Sequence, residues 1–399
     1  MATPAKPLLE DVGVMAMVPD LWGALWQPRH HVLSRLARYF HVVWVNPPHE
    51  WHDSFKSRRD SAAPLVDCPP GFAVFDSPLW LPKIYRPRWL AKFTFKRRLE
   101  LARRVLMRRG CRKTVLYVWR PELGEALNCV PFDLSCYHID DEYSFSAVET
   151  AIPDVEARLI ADVGQVFIHS PALLDKKGKI NPHTAFVPNG VDYHAYATAV
   201  GEPADLAPIP HPRIGYTGHI KKQLDWPLLL SLSAQHPEWS FVLVGPVNPH
   251  PEILPAIQKL SRQANVFFLG SKTVWELAAY PQHFDVCIMP YRQDAYTRYI
   301  YPLKLHEYLA AGRPTVGTRL PSLAGFSDVV LLVETPEQWN NALVAALSPA
   351  EQNDVRRAAR QAVAKRNDWD VLVEKIAGIM AERLGKHRLV DPGGARRSP

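Results

Sequence analysis

From Asp11 onward, short apolar runs alternate with segments whose apolar residues recur every three or four positions. Runs of about four to eight apolar residues are typical of buried strands, and the longer spacing is typical of helices that cover a sheet. Strands that are connected through helices lie parallel. The pattern therefore predicts an α/β protein with largely parallel sheets.

The first half of the chain is predicted to contain seven strands, which is enough for one complete Rossmann-like domain. They are placed at 11–18, 41–48, 72–78, 113–121, 133–143, 165–170 and 184–192. A helix is predicted at 29–40, a second, basic helix follows the third strand, and a third helix is placed at 153–164.

The second half repeats the alternation and predicts a second domain of the same class. Its strands are placed at 213–220, 239–247, 265–273, 285–292, 313–318 and 328–335. The predicted organisation is a first domain at 1–195, a linker at 196–211, a second domain at 212–366, a helix at 367–385 and a disordered basic tail at 386–399.

The stretch YPLKLHEYLAAGRPTV, residues 301–316, predicts a short amphipathic helix. Pro302 is suited to its start and Gly312 to its end, and Leu305 and Leu309 lie on one face. Lys304 and Glu307 lie on another face, where a cation near the helix N-terminus suits a phosphate and a carboxylate can accept hydrogen bonds from a ribose diol. The alternative is an exposed ion pair worth under about 0.5 kcal/mol.

PLKLHEYLAAGRPTV resembles a motif of GT-B glycosyltransferases of the bacterial cell-surface polysaccharide group (group 1, family 4 type), most closely the teichuronic-acid-type branch. The resemblance implies two Rossmann-like domains facing across a cleft, with the acceptor domain first and the last helix crossing back to it. It also implies that Glu307 binds the nucleotide ribose. The commoner pattern has a glutamate eight residues earlier, where this chain has Tyr299.

The resemblance implies that further donor-binding residues lie at the ends of the second domain's strands. Gly218 would allow close approach of the diphosphate, and the two arginines before the helix would neutralise it without a metal. The predicted donor site contains Gly218, Gly245, Pro290, Tyr291, Arg292, Arg298, Lys304 and Glu307, with Lys221 and Lys222 as additional cations. Each arginine could equally lie on the surface.

Candidate acid–base groups follow the fifth predicted strand, in YHIDDEY. Ligands of open α/β sheets bind at the carboxyl ends of the strands, so His138, Asp140 and Asp141 are predicted to orient or deprotonate the acceptor. Alternatively, an aspartate caps the next helix. Arg29 and His30, at the start of the first helix, are predicted to bind an anionic acceptor, unless they simply begin an amphipathic helix.

The amino-acid composition limits the class of protein and the cofactors to be expected. The 399 residues are 47% hydrophobic and 22% charged, values of a globular protein, and no apolar run is long enough to span a bilayer. Five scattered cysteines include no CxxC pair, so the sequence predicts neither a zinc site nor a disulfide framework. No secretion signal is recognised, and a reducing cytosol is expected. No metal or other cofactor is expected.

Positive charge is concentrated between Trp80 and Lys113, where thirteen Lys or Arg residues accompany the single acid Glu100. Aromatic residues are interleaved with these cations, which predicts docking on an anionic membrane surface. A solvated helix face and a nucleic-acid patch are the alternatives, and nucleic acid is not expected as a partner.

The predicted function is transfer of a sugar from a nucleotide-sugar donor to a cell-surface polysaccharide or lipid-linked acceptor, with retention, at the inner face of the cell membrane. A sugar-nucleotide 2-epimerase and a non-catalytic binding protein of the same fold are the alternatives. A nicotinamide dehydrogenase is disfavoured because no GxGxxG follows the first strand.

Overall fold

The computed structural model describes residues 6–50, 68–143, 151–248 and 250–386. Its first sheet has seven parallel strands in the order β3-β2-β1-β4-β5-β6-β7. These strands are β1 Leu9–Met17, β2 Phe40–Val45, β3 Phe72–Phe75, β4 Lys113–Val118, β5 Leu134–Ile139, β6 Gln165–Ile168 and β7 Thr184–Phe186. Val14 in the central strand pairs with Val42 on one side and Val115 on the other.

Helices cover both faces of the first sheet, as the continuous apolar runs of its strands require. They are α1 Pro28–Leu36, α2 Arg88–Arg108, α3 Asp154–Asp162 and α4 Pro171–Lys177, with a 3₁₀ segment at Pro121–Asn128. Leu33 and Leu36 of α1 are buried on one face, and Leu99 and Leu106 of α2 are buried on the other. The sheet is therefore a closed middle layer whose carboxyl edge is left for ligands.

The second sheet has six parallel strands in the order β10-β9-β8-β11-β12-β13. They are β8 Arg213–Thr217, β9 Ser240–Val244, β10 Val266–Phe268, β11 Val286–Met289, β12 Thr315–Thr318 and β13 Leu331–Val333. Its helices are α6 Trp226–Gln235, α7 Leu254–Leu260, α8 Val274–Leu277, α9 Ala279–Gln282, α10 Leu303–Ala310, α11 Pro336–Ala346, α12 Pro349–Gln352 and α13 Asp354–Arg366. Short 3₁₀ turns lie at Thr297–Tyr299 and Ala324–Phe326.

The last described helix, α14 Trp369–Arg383, returns to the first domain and packs against α1. Trp369, Val373 and Ile376 are buried in the hydrophobic core on that face of the first sheet. Arg35 of α1 pairs with Asp370 at 2.9 Å. The helix therefore ties the C-terminal end of the second domain to the first. Residues 387–399 of the predicted tail lie outside the described residues.

The segment 196–211, predicted as a linker, is packed against the second domain. It begins within the short helix α5 Tyr193–Ala197, and Tyr196, Leu206 and Ile209 are buried in the second domain's core. The run of Ala and Pro residues suggested an open connection, but the three large side chains spaced along it supply enough apolar surface for burial.

Within the described residues, no helix has the length and apolar character needed to cross a membrane.

Candidate functional site

A cavity of about 380 Å³ lies between the two domains and is lined by residues of both. Loops after β1, β5 and β6 form one wall, and loops after β8, β9 and β11 together with α10 form the other. The carboxyl ends of parallel strands meet at one edge of each sheet, and here these two edges face each other.

Helix α10 divides its surface as its sequence predicts. Leu305, Tyr308 and Leu309 are fully buried, and the Tyr308 hydroxyl accepts a hydrogen bond of 2.8 Å from the backbone N–H of Thr217 in β8. Pro302 precedes the first turn, and Gly312 has φ +73°, the left-handed conformation common just after a helix. The apolar face therefore fixes the helix, and the remaining face lines the cavity.

Lys304 lies in the first turn of α10 and lines the cavity. Its ammonium group donates a 2.8 Å hydrogen bond to the Tyr291 hydroxyl and lies 4.9 Å from the centre of the Tyr216 ring. The two tyrosines hold the cation in place without neutralising it. The Lys304 charge is thus available to an anionic ligand beside the loop that contains Gly218.

Glu307 lies one turn further along α10 and also lines the cavity. Burial raises the pKa of its carboxyl group, while the nearby Lys304 charge and a hydrogen bond with Tyr196 oppose that rise. Tyr196 comes from the segment predicted as a linker. The packed segment therefore helps to position the carboxylate that faces the cavity.

Gly218 and Gly245 bring two loops of the second domain into direct contact at the cavity wall. Their φ angles are +116° and +143°, and a Cβ atom on Gly245 would lie 2.1 Å from the carbonyl oxygen of Gly218. A side chain at Gly245 is excluded by both conformation and space. Only glycine lets the two loops close up and leave the cavity open above them.

On the opposite wall, Asp140 is held by an ion-paired network. The Arg29 guanidinium donates a hydrogen bond of 2.7 Å to one Asp140 oxygen and another hydrogen bond to Asp20. The Tyr143 hydroxyl donates a hydrogen bond to the other Asp140 oxygen. Arg29 lines the cavity, but two carboxylates already share its charge. The contacts of Arg29 therefore position Asp140, and its binding of an anionic acceptor stays a prediction.

Asp141 lies beside Asp140 and is contacted from both domains. It accepts a hydrogen bond of 2.8 Å from the Glu142 backbone N–H and one of 3.1 Å from the hydroxyl of Tyr296, a residue of the second domain. Burial raises the pKa of its carboxyl group, and the Glu142 N–H opposes that rise. Of the three predicted acid–base residues, Asp141 combines a place in the cavity wall with no ion pair to a first-domain arginine.

The two predicted histidines do not line the cavity. His138 is buried, stacks on Trp119 with ring centres 4.1 Å apart, and shares a 2.9 Å hydrogen bond with the Tyr117 hydroxyl. His30 is buried against Trp22 and Trp44. Both residues are core histidines, packed among aromatic side chains of the first domain.

The arginines predicted to neutralise a diphosphate are also placed elsewhere. Arg292 pairs with Asp294 and Glu252 and faces a second crevice on the second domain, and Arg298 is exposed. Pro290 is buried in the wall behind Tyr291, which does line the cavity. Neither arginine is among the residues that line the interdomain cavity.

Other cations occupy the donor wall in their place. Lys221 lines the cavity, and burial lowers the pKa of its amine, whereas Lys222 is exposed. Lys272, after β10, also lines the cavity and pairs with Asp205 at 2.7 Å. Lys304 and Lys221 therefore supply the positive charge on this side.

Sequence reasoning missed His169 and Arg120, which line the first-domain wall. His169 follows β6 directly, and its Nδ1 lies 3.0 Å from the carbonyl oxygen of Ile139 at the end of β5. Burial lowers the pKa of its imidazole. The rule that ligands meet the carboxyl ends of strands, applied to β6 as it was to β5, would have identified it.

In the described ranges, no group of three or more His, Cys, Asp or Glu side chains is arranged to hold a metal ion.

Solved structures with the same architecture define the fold class. The chain superposes on sucrose-phosphate synthase from Thermosynechococcus elongatus with TM-score 0.69 and 16% identity, covering 94% of this chain and 99% of that one. It superposes on HepE of Anabaena, solved in complex with UDP-glucose, with TM-score 0.66 and 14% identity over 93% of this chain and 99% of that one. The predicted two-domain GT-B fold is confirmed.

Sequence comparison adds a family match for part of the chain. Residues 211–349, most of the second domain, match the profile of glycosyl transferases group 1. Over 236 residues the chain is 30% identical to glycosyltransferase TuaH of Bacillus subtilis (strain 168), whose name provisionally assigns it to teichuronic acid biosynthesis. That match covers 56% of this chain and 58% of the relative, so the chain spans little over half of the relative's length.

Proposed function

We propose that this protein is a glycosyltransferase that uses a nucleotide-sugar donor. The observation that carries the proposal is the placement of Lys304 and Glu307 in the same interdomain cavity as Asp140 and Asp141. One wall offers a cation and a carboxylate suited to a nucleoside diphosphate, and the other offers a carboxylate suited to an acceptor hydroxyl. Sugar transfer needs both groups within one site.

On the donor wall, the diphosphate is proposed to lie between Lys304, Lys221 and the loop at Gly218. Glu307 would accept hydrogen bonds from the two ribose hydroxyls. As the bond from the sugar to the diphosphate breaks, negative charge develops on the departing phosphate, and fixed cations stabilise it. We propose that these residues stabilise the departing diphosphate and that the reaction needs no bound metal ion.

On the acceptor wall, we propose that Asp141 receives the proton of the attacking hydroxyl while Asp140 stays paired with Arg29. The acceptor is proposed to be a cell-surface polysaccharide or a lipid-linked glycan. The transfer is proposed to retain configuration, with the acceptor oxygen bonding to the sugar on the face from which the diphosphate leaves. Support comes from the resemblance of the α10 motif and from the provisional assignment of the Bacillus subtilis relative.

A donor panel tests this proposal. Thermal unfolding is measured with UDP-, GDP-, ADP- and dTDP-sugars, and one donor at about 100 times its Kd is expected to stabilise the protein by about 2.7 kcal/mol. The stabilising donor is then incubated with inner-membrane lipid extract. Sugar in the lipid fraction supports transfer, altered free sugar without acceptor indicates an epimerase, and binding without turnover indicates a non-catalytic protein.

Helix α2 and the turn before it carry the surface that we propose docks on the cytoplasmic face of an anionic membrane. Leu99, Ala102 and Leu106 of the helix are buried, whereas Trp89 is 69% and Phe93 59% exposed. Trp80 in the preceding turn is 67% exposed. Exposed cations on the same segment are Arg86, Arg88, Lys92, Lys96, Arg104, Arg108 and Arg109. Exposed aromatic residues beside cations suit a headgroup region rather than bulk water.

Reversing two of these charges should release the protein from acidic vesicles. Each basic residue near an anionic surface contributes about 1 kcal/mol, so Lys92→Glu with Lys96→Glu is expected to weaken sedimentation with phosphatidylglycerol vesicles at least about thirtyfold. The matched control is Lys365→Glu with Arg366→Glu on α13, which should sediment like the parent. Equal binding of all three proteins, or equal binding to neutral vesicles, would contradict membrane docking through α2.

A further inference from the structure

The loop between β11 and α10 leaves the second domain and reaches the first. Two hydrogen bonds within the loop fix its shape. Asp294 accepts a hydrogen bond of 2.7 Å from the Thr297 N–H, and the Thr297 hydroxyl donates one of 2.7 Å to the Arg292 carbonyl oxygen. From this rigid turn, the Tyr296 hydroxyl donates to both oxygens of Asp141, at 3.1 and 3.3 Å. A residue of the donor domain therefore contacts the acceptor-side carboxylate directly.

The same loop is anchored on the first domain at two further points. Tyr299 is 4% exposed and belongs to the first domain's core, where the Lys176 ammonium lies 5.1 Å from the centre of its ring. The side-chain amide of Asn189 donates a hydrogen bond of 2.8 Å to the backbone carbonyl oxygen of Tyr301. These contacts flank Tyr296 on its C-terminal side and fix where its hydroxyl can reach.

The turn that carries Asp141 is held from its other sides by the first domain. Asp140, before it, is paired with Arg29. Glu142, after it, is fully buried and paired with Lys177 at 3.0 Å and Lys176 at 3.3 Å. The backbone of the turn is thus fixed by ion pairs, while the side chain of Asp141 is oriented by the Glu142 N–H and by Tyr296.

We propose that Tyr296 is a positioning residue for the reaction: its hydroxyl, supplied by the nucleotide-binding domain, holds the Asp141 carboxylate in the orientation in which it receives the acceptor proton. The acid–base group is therefore completed only when the second domain is apposed to the first. This inference rests on the proposed function, because it assigns Asp141 the role of base.

The charges around Asp141 fix the expected pH dependence. Asp140 and His169 face it from the first domain together with Arg120, and Lys221 faces it from the second domain together with Tyr296. Burial raises the pKa of Asp141, and the hydrogen bond from Tyr296 opposes that rise. A base works in its ionised form, so activity falls as pH drops through its pKa. Loss of the hydroxyl should raise that pKa and move the acid limb to higher pH.

Tyr296→Phe tests the proposal because it removes one oxygen atom and keeps the ring. We expect kcat to fall about tenfold, KM for the donor to stay within about twofold, and the acid limb of kcat to move up by about half a pH unit or more. Tyr39→Phe is the matched control, since it removes the hydroxyl of a half-buried tyrosine that does not line the cavity. A pH profile that superposes on the parent's would overturn the proposal.

Hydrogen exchange of the full-length protein supplies a readout that does not depend on turnover. The Glu142 N–H bonds to the Asp141 carboxylate, so exchange in the peptide 137–143 should be faster in Tyr296→Phe and unchanged in Tyr39→Phe. A parent protein that binds and turns over no donor would contradict the proposed function alone. An unchanged hydrogen-exchange rate in Tyr296→Phe would contradict the positioning role of Tyr296, whatever the activity.

Discussion

Replacing Glu307 with alanine is expected to weaken donor binding at least about tenfold. The carboxylate is proposed to accept two ribose hydrogen bonds, and hydrogen bonds to a charged group are worth about 1.5 kcal/mol or more. Titration calorimetry of the parent and the variant with the donor chosen by the thermal panel measures the difference. Because Lys304 keeps its hydrogen bond to Tyr291, the phosphate side of the site should stay intact.

Glu252→Ala is the matched control for that experiment. Glu252 is also a glutamate of the second domain, but it pairs with Arg292 outside the interdomain cavity, and its loss should leave the donor Kd unchanged. If Glu252→Ala weakened donor binding and a folded Glu307→Ala did not, the donor site would lie in the crevice beside Arg292 instead.

Donor binding should also depend on the ionisation of Glu307. Burial raises the pKa of this carboxyl group, and Lys304 and Tyr196 limit the rise. The ionised carboxylate is the better acceptor, so donor affinity should fall as pH decreases through that raised pKa, at a higher pH than an ordinary glutamate would give. In Glu307→Ala this part of the pH dependence should be absent, which calorimetry at several pH values checks.

Asp141→Asn is expected to lower kcat about a hundredfold or more while leaving donor affinity nearly unchanged. The amide has the shape of the carboxylate but cannot take up the acceptor proton, and general base catalysis contributes about a hundredfold to ten-thousandfold. Because Asp141 lies on the acceptor wall, the loss should appear in kcat rather than in the donor Kd. Single-turnover measurements with saturating donor separate the chemical step from binding.

Asp162→Asn controls for the change of charge, since Asp162 is exposed on α3 of the same domain. Asp140→Asn provides a contrast, because it disrupts the ion pair with Arg29 and should lower thermal stability as well as activity. A folded Asp141→Asn protein with the parent's kcat would show that another group accepts the proton.

Periodicity predicted the fold well because it depends on features that are local along the chain. The alternation of strands and helices gave both sheets, and the apolar spacing of Leu305 and Leu309 gave the buried face of α10. The opposite, polar face of α10 was predicted from the same spacing, and its residues Lys304 and Glu307 do line the cavity. An amphipathic helix leaves little choice about which side faces the core.

The first-domain wall was harder to predict, because its charges are paired over long distances in sequence. Arg29 contacts Asp140, 111 positions away, and Asp141 contacts Tyr296, 155 positions away. No local pattern reveals that Arg29 is already neutralised or that a tyrosine of the second domain approaches Asp141. Residue type alone likewise favoured His138, whose inward direction is set by packing on Trp119.

The most direct test of the central claim is a crystal structure of the protein with the nucleoside diphosphate of its preferred donor. The ribose hydroxyls should lie within hydrogen-bond distance of the Glu307 carboxylate, with the diphosphate beside Lys304 and the Gly218 loop. A nucleotide bound instead in the crevice beside Arg292, with the face of α10 left unoccupied, would contradict the assignment of this cavity as the donor site.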